Sequence, residues 1–210
     1  MIKAIETVYK GYRFRSRLEA RWAVFFDALG IEWEYEKEGY DLDGIRYLPD
    51  FWLCKQRYWL EIKPGEPSAD EVRKAEAFQK SLYGQPEIDG VFHILAGSPY
   101  MNEYKVLSST GKDARMAWVQ CPLCKTLSIA HCEHDFSSVN FRGMDMPTGA
   151  IYCVHCDVID RNWKETDSEW FHKGWVEFIM PFRVLMTPLL LSAYTAARSA
   201  RFEHGERPKF

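Results

Sequence analysis

The stretch from Tyr47 to Pro64, which reads YLPDFWLCKQRYWLEIKP, constrains the fold of this chain more than any other. It contains two short apolar runs that are separated by Lys55 and Gln56 and followed by a proline. Such a pattern predicts two antiparallel strands joined by a tight turn. A turn centred between Lys55 and Gln56 places Asp50 directly opposite Glu61.

The same register sorts the side chains of the two strands onto two faces, because successive residues of a strand point to opposite sides. We expect one face to belong to the core and the other to carry chemistry. The predicted core face holds Phe51, Leu53, Tyr58, Leu60 and Ile62, and the other face holds Asp50, Trp52, Trp59, Glu61 and Lys63.

Two carboxylates that face each other across a sheet have their Cβ atoms roughly 5 Å apart and repel each other. A hard divalent cation such as Mg²⁺ would offset this repulsion, since it takes oxygen ligands from one or two carboxylates together with substrate phosphate. Lys63 lies on the same face as Glu61, so its ammonium group can reach the same place. The alternative is an ordinary exposed strand face on which Lys63 pairs with Glu61.

Pro49-Asp50, followed by Glu61-Ile62-Lys63, resembles the signature of the PD-(D/E)xK nucleases, the restriction-endonuclease-like superfamily. The resemblance implies a core of helix, three-stranded meander, helix and strand, often with a glutamate on the first helix. It also implies that Asp50, Glu61 and the main-chain carbonyl of Ile62 hold one or two Mg²⁺ or Mn²⁺ ions, and that Lys63 orients the attacking water.

The residues before and after this stretch predict the same order of elements. A helix is expected over Ser16 to Leu29, and Gly30 ends it. A strand over Ile31 to Glu36 and a hairpin turn at Asp43-Gly44 lead into the Asp50 strand. A helix over Ser68 to Tyr83 and a buried strand over Gly90 to Ala96 complete an α/β fold in residues 1–100.

Glu19 has two interpretations. Ser16 and Glu19 fit a capping box, in which the glutamate bonds back to the start of its own helix. The resemblance instead implies that Glu19 lies beside Asp50 as a further metal or water ligand. The sequence leaves both open.

The formal net charge of -3 and the pI near 6.1 argue against a generally basic nucleic-acid-binding protein. Any such contact must come from local patches. Residues 1–21 are rich in Lys and Arg, and we expect this N-terminal segment to contact phosphates. The candidate contacts are Arg13, Arg15 and Arg17, together with Lys74, Gln79 and Lys80 on the second helix, where a solvated helix face is the alternative.

No signal peptide is recognisable at the N-terminus, and prolines and an arginine interrupt the most apolar late stretch. These features predict a cytoplasmic protein without a membrane span. Six cysteines, of which four form two CxxC pairs, favour a metal site in a reduced compartment over a disulfide framework.

The CxxC pairs lie in the predicted second region, residues 101–180. Four thiolates in two such turns can close a tetrahedral structural Zn²⁺ site. We expect the ligands to be Cys121, Cys124, Cys153 and Cys156, with His131, Cys132, His134 and His155 as alternatives. A C-terminal helix that starts at Thr187 and Pro188 is predicted within residues 181–210.

Together these features predict a metal-dependent DNA endonuclease with a zinc-stabilised C-terminal region. Trp52 and Trp59 could stack on an unpaired base, which favours structured or branched DNA, unless the C-terminal region covers them. Cutting both strands of a duplex with one active site per chain favours a homodimer. The alternative function is a non-catalytic nucleic-acid-binding or adaptor protein that keeps the nuclease fold.

Overall fold

A computed structural model of the chain describes residues 5–82, 90–100, 104–107, 113–120, 125–131, 151–153, 158–160 and 187–202. These residues form a mixed α/β structure that divides into two units. The first unit holds the chain up to Tyr100, the strand at 104–107 and the C-terminal helix from Ser192 onward. The second holds the described residues between Ala114 and Leu191.

The elements of the first unit are, in chain order, β1 (Thr7–Tyr9), β2 (Tyr12–Phe14), α1 (Arg17–Ala28), β3 (Trp33–Tyr35), β4 (Tyr40–Leu42), β5 (Ile45–Tyr47), β6 (Phe51–Leu53), β7 (Tyr58–Lys63), α2 (Ala69–Leu82), β8 (Val91–Ala96) and β9 (Tyr104–Leu107). Its sheet has the strand order β9-β8-β7-β6-β3. Neighbouring strands are antiparallel except β7 and β8, which are parallel. A parallel pair needs a crossover connection, and α2 provides it.

The register of the β6–β7 hairpin is the predicted one. Phe51 pairs with Leu60, Trp52 with Trp59 and Leu53 with Tyr58. The turn closes through a 2.8 Å hydrogen bond from the Arg57 amide to the Leu53 carbonyl. Extending this register by one pair brings Asp50 opposite Glu61, as the sequence predicts.

Both faces of the sheet are covered, each by a different helix. On one face Phe51 packs against Phe26 of α1, with ring centroids 5.3 Å apart. On the other, Trp59 packs against Phe78 of α2 at 5.9 Å. The expectation that Trp52 and Trp59 lie on an open face is therefore wrong, because both are buried and, among the residues that the structure describes, α2 packs over them.

The three predicted antiparallel strands are present as β3, β6 and β7. The Asp43-Gly44 turn is also present, and both residues have positive φ, at 53° and 87°. It joins β4 to β5, which form a separate two-stranded sheet between β3 and β6 in the chain. The sequence did not predict this inserted hairpin, whose Tyr40 and Tyr47 pack on Phe78 of α2.

Serine side chains cap the starts of two helices, and the first of these caps was predicted from the sequence. The Ser16 hydroxyl accepts a 3.2 Å hydrogen bond from the Glu19 amide at the start of α1. At α2 the Ser68 amide donates to the Glu71 carboxylate at 2.8 Å, and the Ser68 hydroxyl accepts from the Glu71 amide, which completes a capping box.

The second unit contains β10 (Asp113–Gln120), β11 (Leu127–His131), β12 (Ile151–Cys153) and β13 (Val158–Asp160), of which Asp113 is grouped with the first unit. β10 pairs with β11 and β12 with β13, both antiparallel. The last helix, α3 (Pro188–Ser199), starts at the predicted Thr187, whose hydroxyl accepts from the Leu190 amide at 3.3 Å. No helix in the described ranges is long and apolar enough to span a bilayer.

Phe78 connects α2, the sheet and the inserted hairpin, so its truncation tests this packing. Its side chain is fully buried. We expect Phe78→Ala to lower the free energy of unfolding by about 3–5 kcal/mol, because it leaves a cavity among aromatic rings. Urea denaturation measures this loss. Glu76→Ala, at an exposed position of the same helix, should change it little, and equal effects of the two variants would contradict the packing.

Candidate functional site

Asp50 is a buried carboxylate at the point where β6 begins. Its Oδ2 accepts a 2.7 Å hydrogen bond from the Ile62 amide, and its Oδ1 accepts one of 2.6 Å from Nη2 of Arg15. Its main-chain carbonyl accepts from the Glu36 amide at 2.9 Å. Contacts on both sides of β6 therefore hold Asp50 in place.

Glu61 lies on β7 with its carboxylate oxygens held by two different side chains. Oε1 is 2.8 Å from Nζ of Lys63, and Oε2 accepts a 3.1 Å hydrogen bond from the Tyr47 hydroxyl. Burial and the charge of Glu61 raise the pKa of that hydroxyl well above its usual value, so Tyr47 stays a donor. The inserted hairpin thus positions one of the two opposed carboxylates.

Lys63 bridges two carboxylates. Its Nζ lies 2.8 Å from Oε1 of Glu61 and 2.8 Å from Oε1 of Glu71, in the first turn of α2. Burial lowers the pKa of Lys63, but the two carboxylates outweigh burial and the net change is upward. The hydrogen bond from Lys63, followed by those from Ser68, lowers the pKa of Glu71 to about 2. Lys63 is therefore a fixed ammonium group at neutral pH.

The pKa of Asp50 lies well above its usual value, because burial and then the charges of Glu61 and Glu19 disfavour its ionised form. The Ile62 amide and Arg15 act in the opposite direction but do not offset these effects. A second, larger positive charge near Asp50 would offset the effects of burial and of the two neighbouring carboxylates. This is the electrostatic environment that a divalent cation would stabilise.

Glu19 is buried, and polar groups surround its carboxylate. Oε1 accepts from the Ser16 hydroxyl at 2.6 Å, and Oε2 accepts from the Tyr35 hydroxyl at 2.6 Å and the Arg15 amide at 3.1 Å. Its side chain therefore bonds around the helix start, as the capping interpretation requires. It also lies near enough to Asp50 for its charge to raise the pKa of that residue.

The donor set fits a hard cation. Asp50 and Glu61 supply carboxylate oxygens, the ligands that Mg²⁺ prefers. The Ile62 amide points towards Asp50. We expect its carbonyl to point the same way, since both groups of one strand residue face the same antiparallel neighbour. In the described part of the chain no three His, Cys, Asp or Glu side chains form a metal-binding group, so the acidic pair would need main-chain, water or substrate oxygens.

A cavity of about 320 Å³ opens beside the acidic pair. Its wall carries both cationic and anionic side chains, and the inserted hairpin forms part of that wall. Its lining residues are Arg15, Arg46, Tyr47, Leu48, Glu61, Lys63, Glu71, Lys74 and Ile94. A group with both negative charge and oxygen ligands, such as a phosphodiester, matches this lining.

The four cations around the cavity differ in how they are held. Arg15 contacts Asp50, Lys63 contacts Glu61 and Lys74 contacts Asp70 at 2.8 Å. Arg46, on β5, lines the cavity, and its side chain forms no hydrogen bond or ion pair with the described residues. Arg46 is therefore the cation most available to an incoming anion.

The structure places the predicted nucleic-acid contacts in different surroundings. Residues 7–14 form the β1–β2 hairpin, on which the exposed Arg13 pairs with Glu6 at 2.8 Å. Arg15 reaches the acidic pair, and Arg17 opens α1. Lys74 lines the cavity. Gln79 is not a surface contact, because it is buried and its side chain accepts from the Phe92 amide at 2.9 Å.

Sequence reasoning did not identify Arg46, Glu71 or Tyr47 as part of the site. Glu71 had a local signal, the spacing from Ser68, but that signal indicates a helix start and not a contact to Lys63. Tyr47 and Arg46 alternate on β5, which is typical of any half-buried strand. Only the position of the inserted hairpin reveals their role.

The predicted zinc ligands Cys121, Cys124 and Cys156 lie outside the described residues, as does the side chain of Cys153. The alternatives Cys132, His134 and His155, together with the side chain of His131, also lie outside them.

Comparison with known proteins identifies no relative: no family model matches the chain, and no curated protein or solved structure matches it.

Asp50 gives a prediction for stability. The folded, ion-free protein disfavours the ionised form of Asp50, so the free energy of unfolding falls as the pH rises through its raised pKa. Asp50→Asn removes that charge. We expect it to increase the free energy of unfolding by about 0.5–2 kcal/mol at neutral pH. The gain should shrink at lower pH, where the wild-type carboxyl is protonated. Denaturant unfolding in EDTA over a pH series measures it.

Asp43→Asn is the matched control, since it removes a carboxylate from an exposed turn where asparagine tolerates the positive φ of 53°. It should leave stability almost unchanged at each pH. Destabilisation by Asp50→Asn at every pH would show that the Arg15 and Ile62 contacts outweigh the cost of burying the charge.

Proposed function

We propose that this chain is a metal-dependent endonuclease of the PD-(D/E)xK type that hydrolyses phosphodiester bonds of DNA. The observation that carries the proposal is the pair of opposed buried carboxylates, Asp50 and Glu61, with Lys63 beside them on the wall of a cavity that has further cations. The order of helix, three antiparallel strands, helix and parallel strand supports it.

Asp50, Glu61 and the Ile62 carbonyl would hold the ion. A bound Mg²⁺ or Mn²⁺ lowers the pKa of water and offsets negative charge on the scissile phosphate. The buried position of Asp50 and the bond from the Ile62 amide fix the carboxylate before the ion arrives. The carboxylate itself then needs little reorganisation when the ion binds.

Lys63 orients the attacking water rather than deprotonating it. An ammonium group whose pKa is raised by two carboxylates has no free lone pair, so it can donate a hydrogen bond but cannot accept the proton. Glu71 is the positioning residue for this ammonium group, because it holds Nζ from the α2 side.

Arg46 and Lys74 would contact phosphates next to the scissile one. Both line the cavity, and guanidinium groups bind phosphate oxygens through two parallel hydrogen bonds. Because Trp52 and Trp59 are buried, base stacking on them does not contribute. The contacts proposed for Arg46 and Lys74 are therefore to the phosphate backbone of the substrate.

Cleavage of labelled substrates tests the proposal. The panel contains linear duplex, nicked duplex, flap, four-way junction, single-stranded DNA and RNA, each with Mg²⁺, Mn²⁺ or EDTA. We expect cutting of DNA that requires the ion, and a loss of about 10²–10³-fold in Lys63→Ala, the range for removal of one positioned hydrogen-bond donor from an active site.

Lys55→Ala is the control for Lys63→Ala, since Lys55 is exposed in the turn at the other end of the β6–β7 hairpin. It should retain full activity. A wild-type protein that binds DNA but cuts no substrate with either ion would contradict the endonuclease and favour the non-catalytic adaptor.

Arg46 gives a separate prediction for substrate binding. Arg46→Ala should weaken DNA binding about tenfold, as expected for loss of a charged hydrogen bond. It should also make binding less dependent on salt. Fluorescence anisotropy at several salt concentrations measures both. Arg73→Ala, on an exposed part of α2 where Arg73 pairs with Asp70, should change neither, and equal losses in the two variants would argue against a specific role for Arg46.

A further inference from the structure

Arg15 occupies the position next to Asp50 that a cation would take. Nη2 lies 2.6 Å from Oδ1 of Asp50, and Nε lies 2.8 Å from Oε1 of Glu36. The other oxygen of Asp50 already accepts from the Ile62 amide. Oδ1 is therefore the Asp50 oxygen that an arriving ion would use, and the guanidinium group of Arg15 is bound to it.

The backbone of Arg15 is anchored while its side chain is accessible. The Arg15 amide donates to the Glu19 carboxylate at 3.1 Å and to the Tyr35 hydroxyl at 3.2 Å, just before α1 begins. Its side chain is 55% exposed and lines the cavity. The guanidinium group can therefore leave Asp50 without moving the main chain.

We infer that Arg15 is a tethered counter-ion that neutralises Asp50 in the ion-free protein, is displaced by the divalent cation, and then binds a phosphate of the nucleic acid. The inference rests on the proposed function, because it assigns a regulatory role at the same metal site. Its chemical basis is that a guanidinium group and a divalent cation repel each other at the distances that separate ligands of one carboxylate.

Glu36 makes the exchange feasible. It retains the Nε side of the guanidinium group when Nη2 leaves Asp50, so Arg15 is never left without a partner. The Nη groups then face the cavity, where they can form a two-pronged contact to phosphate oxygens. The same arginine is thus a competitor of the ion and a ligand of the substrate.

Opposite effects on ion and nucleic-acid binding test this inference. Mn²⁺ affinity is measured by titration calorimetry on wild type, Arg15→Met and Arg13→Met, the last being an exposed arginine of the preceding hairpin. We expect Mn²⁺ to bind Arg15→Met about tenfold more tightly, within the usual range of coupling between two ligands, and Arg13→Met to match wild type. Arg15→Gln, which keeps a hydrogen-bond donor but no charge, should behave as Arg15→Met does. It replaces Arg15→Met in the measurement if Arg15→Met fails to fold.

Binding of a labelled DNA duplex is measured in a Lys63→Ala background so that the duplex is not cut. With Mn²⁺ present, Arg15→Met should weaken binding about tenfold, whereas in EDTA it should have no effect because Arg15 is held by Asp50. A merely structural role would weaken the binding of both Mn²⁺ and DNA.

The outcomes separate this inference from the proposed function. If wild type and all variants fail to bind Mn²⁺, the metal site and the proposed function are both wrong. If wild type binds Mn²⁺ and the Arg15 variants bind it equally or more weakly, the counter-ion role is wrong while the metal site stands.

Discussion

The hydrogen bond from the Ile62 amide to the Asp50 carboxylate is the contact on which the site depends. It joins the start of β6 to the end of β7 and so fixes where the two opposed carboxylates meet. Since side chains alternate along a strand, a slip of one residue in this pairing would move Glu61 and Lys63 to the α1 side of the sheet. The observed register, with Trp52 opposite Trp59, is held by burial of that pair against α2. The packing of the two tryptophans therefore supports the same register that the Ile62–Asp50 hydrogen bond fixes.

Coverage of both faces restricts the place where chemistry can occur. With α1 on one face and α2 on the other, the open surface near Asp50 lies at the ends of the strands. The inserted β4–β5 hairpin adds Arg46, Tyr47 and Leu48 to this edge and so forms a wall of the cavity. A β-sheet that is covered by helices on both faces typically binds its ligands at the ends of its strands and not on a face. The expectation of one core face and one reactive face was wrong for this reason: the acidic groups lie at the end of the face that α2 covers and do not extend along it.

The sequence predicts well what depends on local patterns. The β6–β7 register follows from alternation around one turn, and the starts of α1 and α2 follow from Ser16 and Ser68 with glutamates three residues later. The sequence predicts poorly the features that depend on tertiary packing, such as which face of a strand is buried and which distant side chains are in contact. Strands that are buried on both sides read as continuous apolar runs, so nothing in FWL distinguishes a buried from an exposed Trp52. The contact between Arg15 and Asp50 joins residues far apart in the chain, and a basic segment predicts phosphate binding as readily as it predicts an internal ion pair.

The three carboxylates of the site are stabilised to different degrees by the groups around them. Glu19 accepts three hydrogen bonds, which compensate its burial and occupy its oxygens. The carboxylate of Glu61 pairs with one lysine and accepts a hydrogen bond from one tyrosine. Asp50 accepts from an amide and an arginine, yet its pKa remains raised because burial, followed by the charges of the other two carboxylates, disfavours its ionised form. A group that is fixed in position but poorly compensated in charge is the one that gains most from a cation. In the proposed nuclease, Glu19 would act on a bound ion through Asp50, by keeping the local potential negative, and would not itself need to be a ligand.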